Sequence, residues 1–257
     1  MRLFLAGLEG TLNYEICREY IYNNLNEIYC LSSFYHMNKR QEEMINAMNK
    51  ENFLLDSGAF TFRMRGLKGL NIDEYTENYI QFINKHDIKY FFEMDIDKDE
   101  KSYKKVLELR KRIEENTGKK CIPVWHDTRG IQAWLDIIEE YDYVAIGGIT
   151  STDGKKQEIV KELIKLANKK KVKVHLLGYN RKDLLEYNAY SCDATSWNGA
   201  KYGGMWNWDN MIGRPVKQNR VLDKRVKTEL QKELFLHNLK VWLHYQRYLK
   251  YKGYWRE

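Results

Sequence analysis

Proline is nearly missing from this chain, with only Pro123 and Pro215 in 257 residues. Proline-rich linkers and extended recognition tracts are therefore excluded, and helices can run without interruption. Cysteine is scarce as well. Cys17, Cys30, Cys121 and Cys192 lie far apart, with no Cys-x-x-Cys pair and no histidine at ligand spacing. That argues against a zinc site and a disulfide framework, so neither a metal nor a cofactor is expected, and the thiols read as small hydrophobes. No apolar run approaches the roughly 18 residues that span a bilayer. The opening Met1 to Glu9 is too short for a signal peptide. These absences predict a cytoplasmic protein with no membrane partner.

What remains is a globular composition, 43% hydrophobic and 31% charged, in a chain long enough for one large core. Its net charge of +7 is unevenly placed. From Arg214 to Glu257 there are 12 Lys plus Arg against 4 Asp plus Glu, so the rest is close to neutral. A neutral body with a basic end suits a catalytic domain carrying a polyanion-binding extension. It is equally what a solvated basic face looks like.

Eight short apolar runs read as strands: Leu3 to Ala6, Ile28 to Phe34, Phe53 to Asp56, Lys89 to Met94, Cys121 to Trp125, Tyr143 to Ile146, Val172 to Leu177 and Ser191 to Ala194. Helical periodicity fills the gaps at Tyr14 to Leu25, Asn38 to Asn49, Asp73 to Lys85, Lys101 to Asn116, Ile131 to Glu140, Glu158 to Lys170 and, briefly, Lys182 to Tyr187. Asp73 is a candidate cap. This alternation predicts an α/β fold, a (β/α)8 TIM barrel over residues 1–210, with a basic, aromatic helical extension over 211–257. A doubly wound open sheet is the competing architecture.

Polar residues at the C-terminal ends of barrel strands face the active-site mouth. Here they are Asp56 and Ser57, Asp95 with Asp97 close by, His126 and Asp127, Gly147 and Gly148, Gly178 and Tyr179, then Asp193, Thr195 and Ser196. Two carboxylates facing one another can divide labour, one stabilising or trapping an oxocarbenium-like sugar carbon and the other shuttling a proton. Singly, Asp56 and Asp193 are as readily helix or loop caps; their shared placement at strand ends favours catalysis. Gly147-Gly148 lets a flat ligand approach backbone N–H groups, or simply makes a turn. Phe60 is suited to stacking on a base or to core packing. His126 is suited to donating to a substrate or to being held by Asp127.

In the basic end, Leu222, Val226, Leu230 and Leu234 recur every fourth residue, one face of a helix packing on the body. Further on, Arg247, Lys250 and Lys252 alternate with tyrosines, and Lys201 stands in a glycine-rich stretch, 198–204, that reads as a flexible loop. Cations neutralise phosphates and aromatics stack on unpaired bases, so these four are candidate nucleic-acid contacts.

Leu55-Asp56-Ser57-Gly58-Ala59-Phe60, Ala145-Ile146-Gly147-Gly148-Ile149, His175-Leu176-Leu177-Gly178-Tyr179 and Cys192-Asp193-Ala194-Thr195-Ser196-Trp197 occur in the order of corresponding blocks in tRNA-guanine transglycosylases. The chain most resembles the short, phage-type relatives that put 7-deazaguanine bases into DNA. The resemblance covers roughly Phe53 to Gly204. It implies exchange of guanine in a nucleic acid for a free 7-deazaguanine base, with Asp193 as the nucleophile on C1′ and Asp56 as the general acid/base. It further implies that Asp95 reads the purine edge, that Gly147 and Gly148 contact the base through backbone, and that Phe60 and Leu177 sandwich it. Ser57, His126 and Gly178 complete the implied substrate contacts. The family's tRNA enzymes carry a zinc-binding Cys/His cluster after the barrel, and none follows Asp193. DNA is therefore the expected partner, with tRNA the closest alternative; an N-glycosidase and a non-catalytic nucleic-acid-binding barrel are the competing readings.

Overall fold

Parallel strands are covered on both faces, so they read as short continuous apolar runs separated by helices long enough to cross back. That is how this chain folds in the computed structural model, which describes residues 1–59, 61, 71–96, 100–149, 154–219, 222 and 224–253. Its strands β1 (Arg2–Ala6), β2 (Cys30–Ser33), β3 (Phe53–Asp56), β4 (Tyr90–Phe91), β5 (Val124–Trp125), β6 (Tyr143–Ile146), β7 (Lys173–Leu176) and β8 (Ser191–Ala194) form one all-parallel sheet. The spatial order is β4-β3-β2-β1-β8-β7-β6-β5. The sheet curls, and its outermost strands β4 and β5 are linked by a single parallel bridge between Phe92 and Ile122.

The connecting helices are α1 (Glu15–Tyr22), α2 (Lys39–Ala47), α3 (Ile72–Lys85), α4 (Glu100–Thr117), α5 (Gly130–Glu140) and α6 (Gly154–Lys169). Alternation along each strand divides the core in two. On β3, Phe53 and Leu55 point outward to the helices while Leu54 points into the curl; on β6, Val144 and Ile146 point outward and Tyr143 and Ala145 inward. Inside the curl, Phe4, Leu31, Leu54, Phe92, Val124, Ala145 and a layer of tyrosines fill the space.

Several boundaries differ from the expectation. Asn71, not Asp73, caps α3, because its side-chain oxygen accepts from the Asp73 and Glu74 amides. The segment expected as a short helix at Lys182 to Tyr187 is a 3-10 turn, Leu184–Tyr187. Residues 198–204 are not an open loop: a 3-10 helix, Ser196–Tyr202, buries Trp197 and Ala200. A hairpin of β9 (Trp206–Asp209) and β10 (Arg214–Lys217) follows, and then a 25-residue helix, α7 (Thr228–Lys252). Leu222 and Val226 precede that helix, and Leu222 and Leu230 are exposed. The buried stripe is Leu234, Phe235, Asn238, Leu239, Trp242, Leu243, Tyr245, Gln246 and Leu249, a wider band than a strict every-fourth-residue row, which drifts around the helix. No helix among the described residues is long and apolar enough to cross a membrane.

Candidate active site

Register determines which side chains meet at the C-terminal rim of the sheet. Asp193 pairs with Phe4 and Asp56 with Ser33. Because Phe4 faces the interior, Asp193 does too, while its neighbours Cys192 and Ala194 face the helices. By the same alternation Asp56 follows the inward Leu54. Two carboxylates far apart in sequence thus face the interior of the curl at the C-terminal ends of β3 and β8.

Their electrostatics agree with that convergence. Burial pushes the Asp56 carboxyl up to about 6; the facing Ser33 hydroxyl and the Gly58 N–H lower it, while the negative charges of Asp193 and Asp95 raise it further. Gly58 is required locally: its φ is +81°, and a Cβ would sit 2.7 Å from the Tyr35 Cβ and 2.9 Å from the Tyr75 hydroxyl. Ser57 is buried, and its carbonyl accepts from Tyr75 at 2.8 Å.

Asp193 is held on one oxygen. Its Oδ1 accepts from the Gly178 N–H at 2.6 Å and contacts His175 Nε2 at 3.2 Å. The other His175 nitrogen lies 2.8 Å from Ser191 Oγ, which lies 2.6 Å from the Tyr143 hydroxyl. All four side chains face the interior, so a buried polar chain runs from the rim toward the opposite end of the curl. A carboxylate only accepts, so the proton on that side of His175 sits on Nε2. Among the described residues no group hydrogen-bonds to Oδ2.

Asp95 sits in a second network. His126 Nε2 lies 2.7 Å from its Oδ2 and the Arg129 guanidinium donates to its Oδ1 at 2.8 Å. Arg129 also donates to Glu93 at 2.7 Å, and Glu93, fully buried, accepts from Arg110 at 2.6 Å and from the Val124 N–H at 2.9 Å. Burial raises the Asp95 carboxyl, against the opposing pull of His126 and Arg129. His126 is therefore held by Asp95, not by its sequence neighbour Asp127, which pairs with Lys156. Gly147 makes room for it: a Cβ there would lie 2.5 Å from His126 Cε1.

The structure brings together Asp56, Ser57, Asp95, His126, Gly147, Gly148, Leu177, Gly178 and Asp193 at the C-terminal strand ends. Phe60 and Asp97 lie outside the described residues. Two glycine roles change. The Gly147 N–H is taken by the Trp125 carbonyl at 2.9 Å, and that of Gly178 by Asp193, so neither is a free donor for a base. Lys201 lies at this end, its backbone bonded to Val226 and its ammonium beside Gly10. Arg247, Lys250 and Lys252 do not: the end of α7 meets Met1, at the start of β1 and the opposite end of the sheet. Arg247 pairs with Glu27 at 2.6 Å.

Sequence reading missed Glu93, Arg129 and His175. Two carried a visible signal, a charged or polar residue inside an apolar run, as in Phe91-Phe92-Glu93-Met94 and Val174-His175-Leu176. Such residues survive in a core only with partners. The cysteines supply no nucleophile: all four are buried, and burial raises every thiol, Cys17 to about 11 and Cys30 to about 12. Among the described residues no group of His, Cys, Asp and Glu is arranged to hold a metal ion. No protein-family model matches this chain, and no curated protein matches it significantly.

Proposed function

We propose that the curled sheet is a (β/α)8 barrel closed through the Phe92–Ile122 bridge, and that its rim exchanges guanine in DNA for a free 7-deazaguanine base. One observation carries the reading: Asp56 and Asp193 both face the interior at the C-terminal ends of their strands, close enough for the charge of one to raise the other, while no described residue hydrogen-bonds to the second Asp193 oxygen. Paired carboxylates of unequal environment are what a two-step, retaining substitution at a sugar carbon requires.

Asp193 Oδ2 attacks C1′, the C1′–N9 bond breaks, and guanine leaves with a proton from Asp56. An ester between Asp193 and the sugar holds the nucleic acid. The incoming base gives its N9 proton to Asp56 and its N9 attacks C1′, releasing Asp193 as carboxylate. A carboxyl poised at about 6 serves both proton transfers near neutrality. Asp95, fixed by Arg129 and His126, offers a rigid acceptor for the N–H edge of the base.

The test is nucleoside mass spectrometry of DNA and of tRNA after incubation with the protein and labelled 7-deazaguanine bases, together with a denaturing gel for the adduct. Label enters DNA with the wild-type protein, and Asp193→Asn abolishes both incorporation and adduct. An active Asp193→Asn protein sinks the mechanism. Label in tRNA alone moves the substrate, and abasic sites without label make the protein a hydrolase.

A further inference from the structure

We propose that the end of the sheet opposite the carboxylates is a second binding site, a cationic bowl for a run of closely spaced phosphates. The bowl encloses about 1090 Å³. Arg2, Lys89, Lys171, Lys173 and Lys250 line it, and among the described residues Glu51 is the only acid in the lining. Glu51 is itself engaged, by Lys89 and by the Tyr90 hydroxyl at 2.8 Å.

Cations at this end of an α/β fold often do no more than offset the negative C-terminal ends of helices. That account does not cover Arg2 and Lys173, which open β1 and β7, or Lys89, which directly precedes β4. Nor does it explain why they converge. The rings beneath them hold them in place: Arg2 lies 5.4 Å from the Tyr29 ring centre and 5.0 Å from that of Tyr190, Lys173 lies 4.9 Å from Tyr190, and Lys250 lies 6.0 Å from Tyr29. These rings carry the protein's own cations, so the bowl offers a ligand positive charge and side-chain amides, not a stacking platform.

Two rim positions point the same way. Lys171 and Asn188, with φ of 61° and 49°, end the helical segments that lead into β7 and β8, and both turn a side chain into the lining. Concave positive surfaces with low-dielectric walls concentrate polyanions. Several cations facing one space suit neighbouring phosphates, as in a pyrophosphate group or a stretch of nucleic-acid backbone. The bowl lies at the N-terminal strand ends and Asp56 and Asp193 at the C-terminal ends, so its ligand does not compete with a base at the carboxylates.

Calorimetric titration with sodium pyrophosphate and with a short single-stranded oligothymidylate tests the site without relying on turnover. At least one of them binds saturably to the full chain, and Lys171→Glu with Lys173→Glu weakens that binding at least tenfold, while Asp193→Asn leaves it unchanged. Loss of pyrophosphate binding alone assigns a small pyrophosphate-bearing ligand; loss of both assigns nucleic-acid backbone. If the charge-reversed pair lacks the wild-type circular dichroism spectrum, Lys89→Gln with Lys250→Gln serves in its place. Absence of saturable binding by either probe, or affinities indifferent to these substitutions, overturns the proposal.

Discussion

The unequal treatment of the two Asp193 oxygens has kinetic consequences. Hydrogen bonds to Oδ1 from Gly178 and His175 are stronger to a carboxylate than to an ester, because only the carboxylate is charged. They therefore favour breakdown of the covalent intermediate over its formation. Replacing His175 by Phe removes one donor, and the fraction of protein held as adduct at fixed guanine concentration rises about tenfold. His175→Gln, which keeps a donor, falls between Phe and wild type. A wild type that forms adduct and a Phe variant with the same adduct fraction would remove His175 from this positioning role. Asp56 gives a pH signature. Its carboxyl stands near 6, above the ordinary value, so the protonated acid needed to expel guanine is abundant below that pH and scarce above it. The kcat/KM for nucleic acid falls about tenfold per pH unit above about 6, and Asp56→Asn, already slow, loses that slope. Asp56, Asp95 and Asp193 were legible in the sequence because each ends or follows an apolar run. His175 showed only as a polar residue in an apolar run and Arg129 not at all, because what they do is set by partners elsewhere in the fold: Ser191 and Asp193 for one, Glu93 and Asp95 for the other. Proximity across strands depends on register, and register is not written in any one segment.

Among the elements, strands and most helices were legible and the segment after β8 was not. Its glycines suggest an open loop, yet the hairpin β9–β10 carries its own pattern in Trp206-Asn207-Trp208-Asp209, an alternation ended by a turn at Gly213. The leucine spacing that places a helix start at Leu222 fails because what fixes α7 is tertiary. Asn238, fully buried, accepts from the Trp206 N–H at 3.0 Å and donates to the Trp197 and Gly204 carbonyls, both at 3.0 Å. One amide thus ties α7 to the hairpin and to the 3-10 helix after β8. Asn238→Leu has nearly the same size but leaves one part-buried donor and two buried acceptors without it. A loss of about 2–4 kcal/mol follows from the cost of unsatisfied buried groups, read as a lowered urea midpoint at unchanged slope. A variant within about 0.5 kcal/mol of wild type would show that these bonds do not hold the element in place.

Taken as a whole molecule, the chain does not divide into a body and a separable basic tail. Helix α7 packs on β1, on α1 and on the 3-10 helix Ser196–Tyr202, the place where an eighth connecting helix would cover the junction of β8 and β1. Phe235, Leu239, Trp242 and Leu249 belong to the same core as Leu3, Leu5 and Cys192. Gln246 donates to the Leu3 carbonyl at 2.6 Å and to the Tyr29 carbonyl at 2.9 Å, and the amino terminus donates to the Leu249 carbonyl at 3.3 Å. The basic charge that sets the C-terminal stretch apart in sequence is thus carried on a helix whose other face is core, and composition alone registers only the charge. Ending the chain at Lys227 bares the outer face of β1 and β8 and orphans buried backbone acceptors. Burial of those large side chains is worth roughly 1.5–3 kcal/mol each, so their sum is comparable with the whole stability of an ordinary domain, 5–15 kcal/mol. The full chain unfolds in one cooperative transition, and residues 1–227 alone show neither a cooperative transition nor a near-ultraviolet circular dichroism signal. A fragment that unfolds cooperatively and keeps that signal would show that the body folds without α7 and would remove α7 from the core.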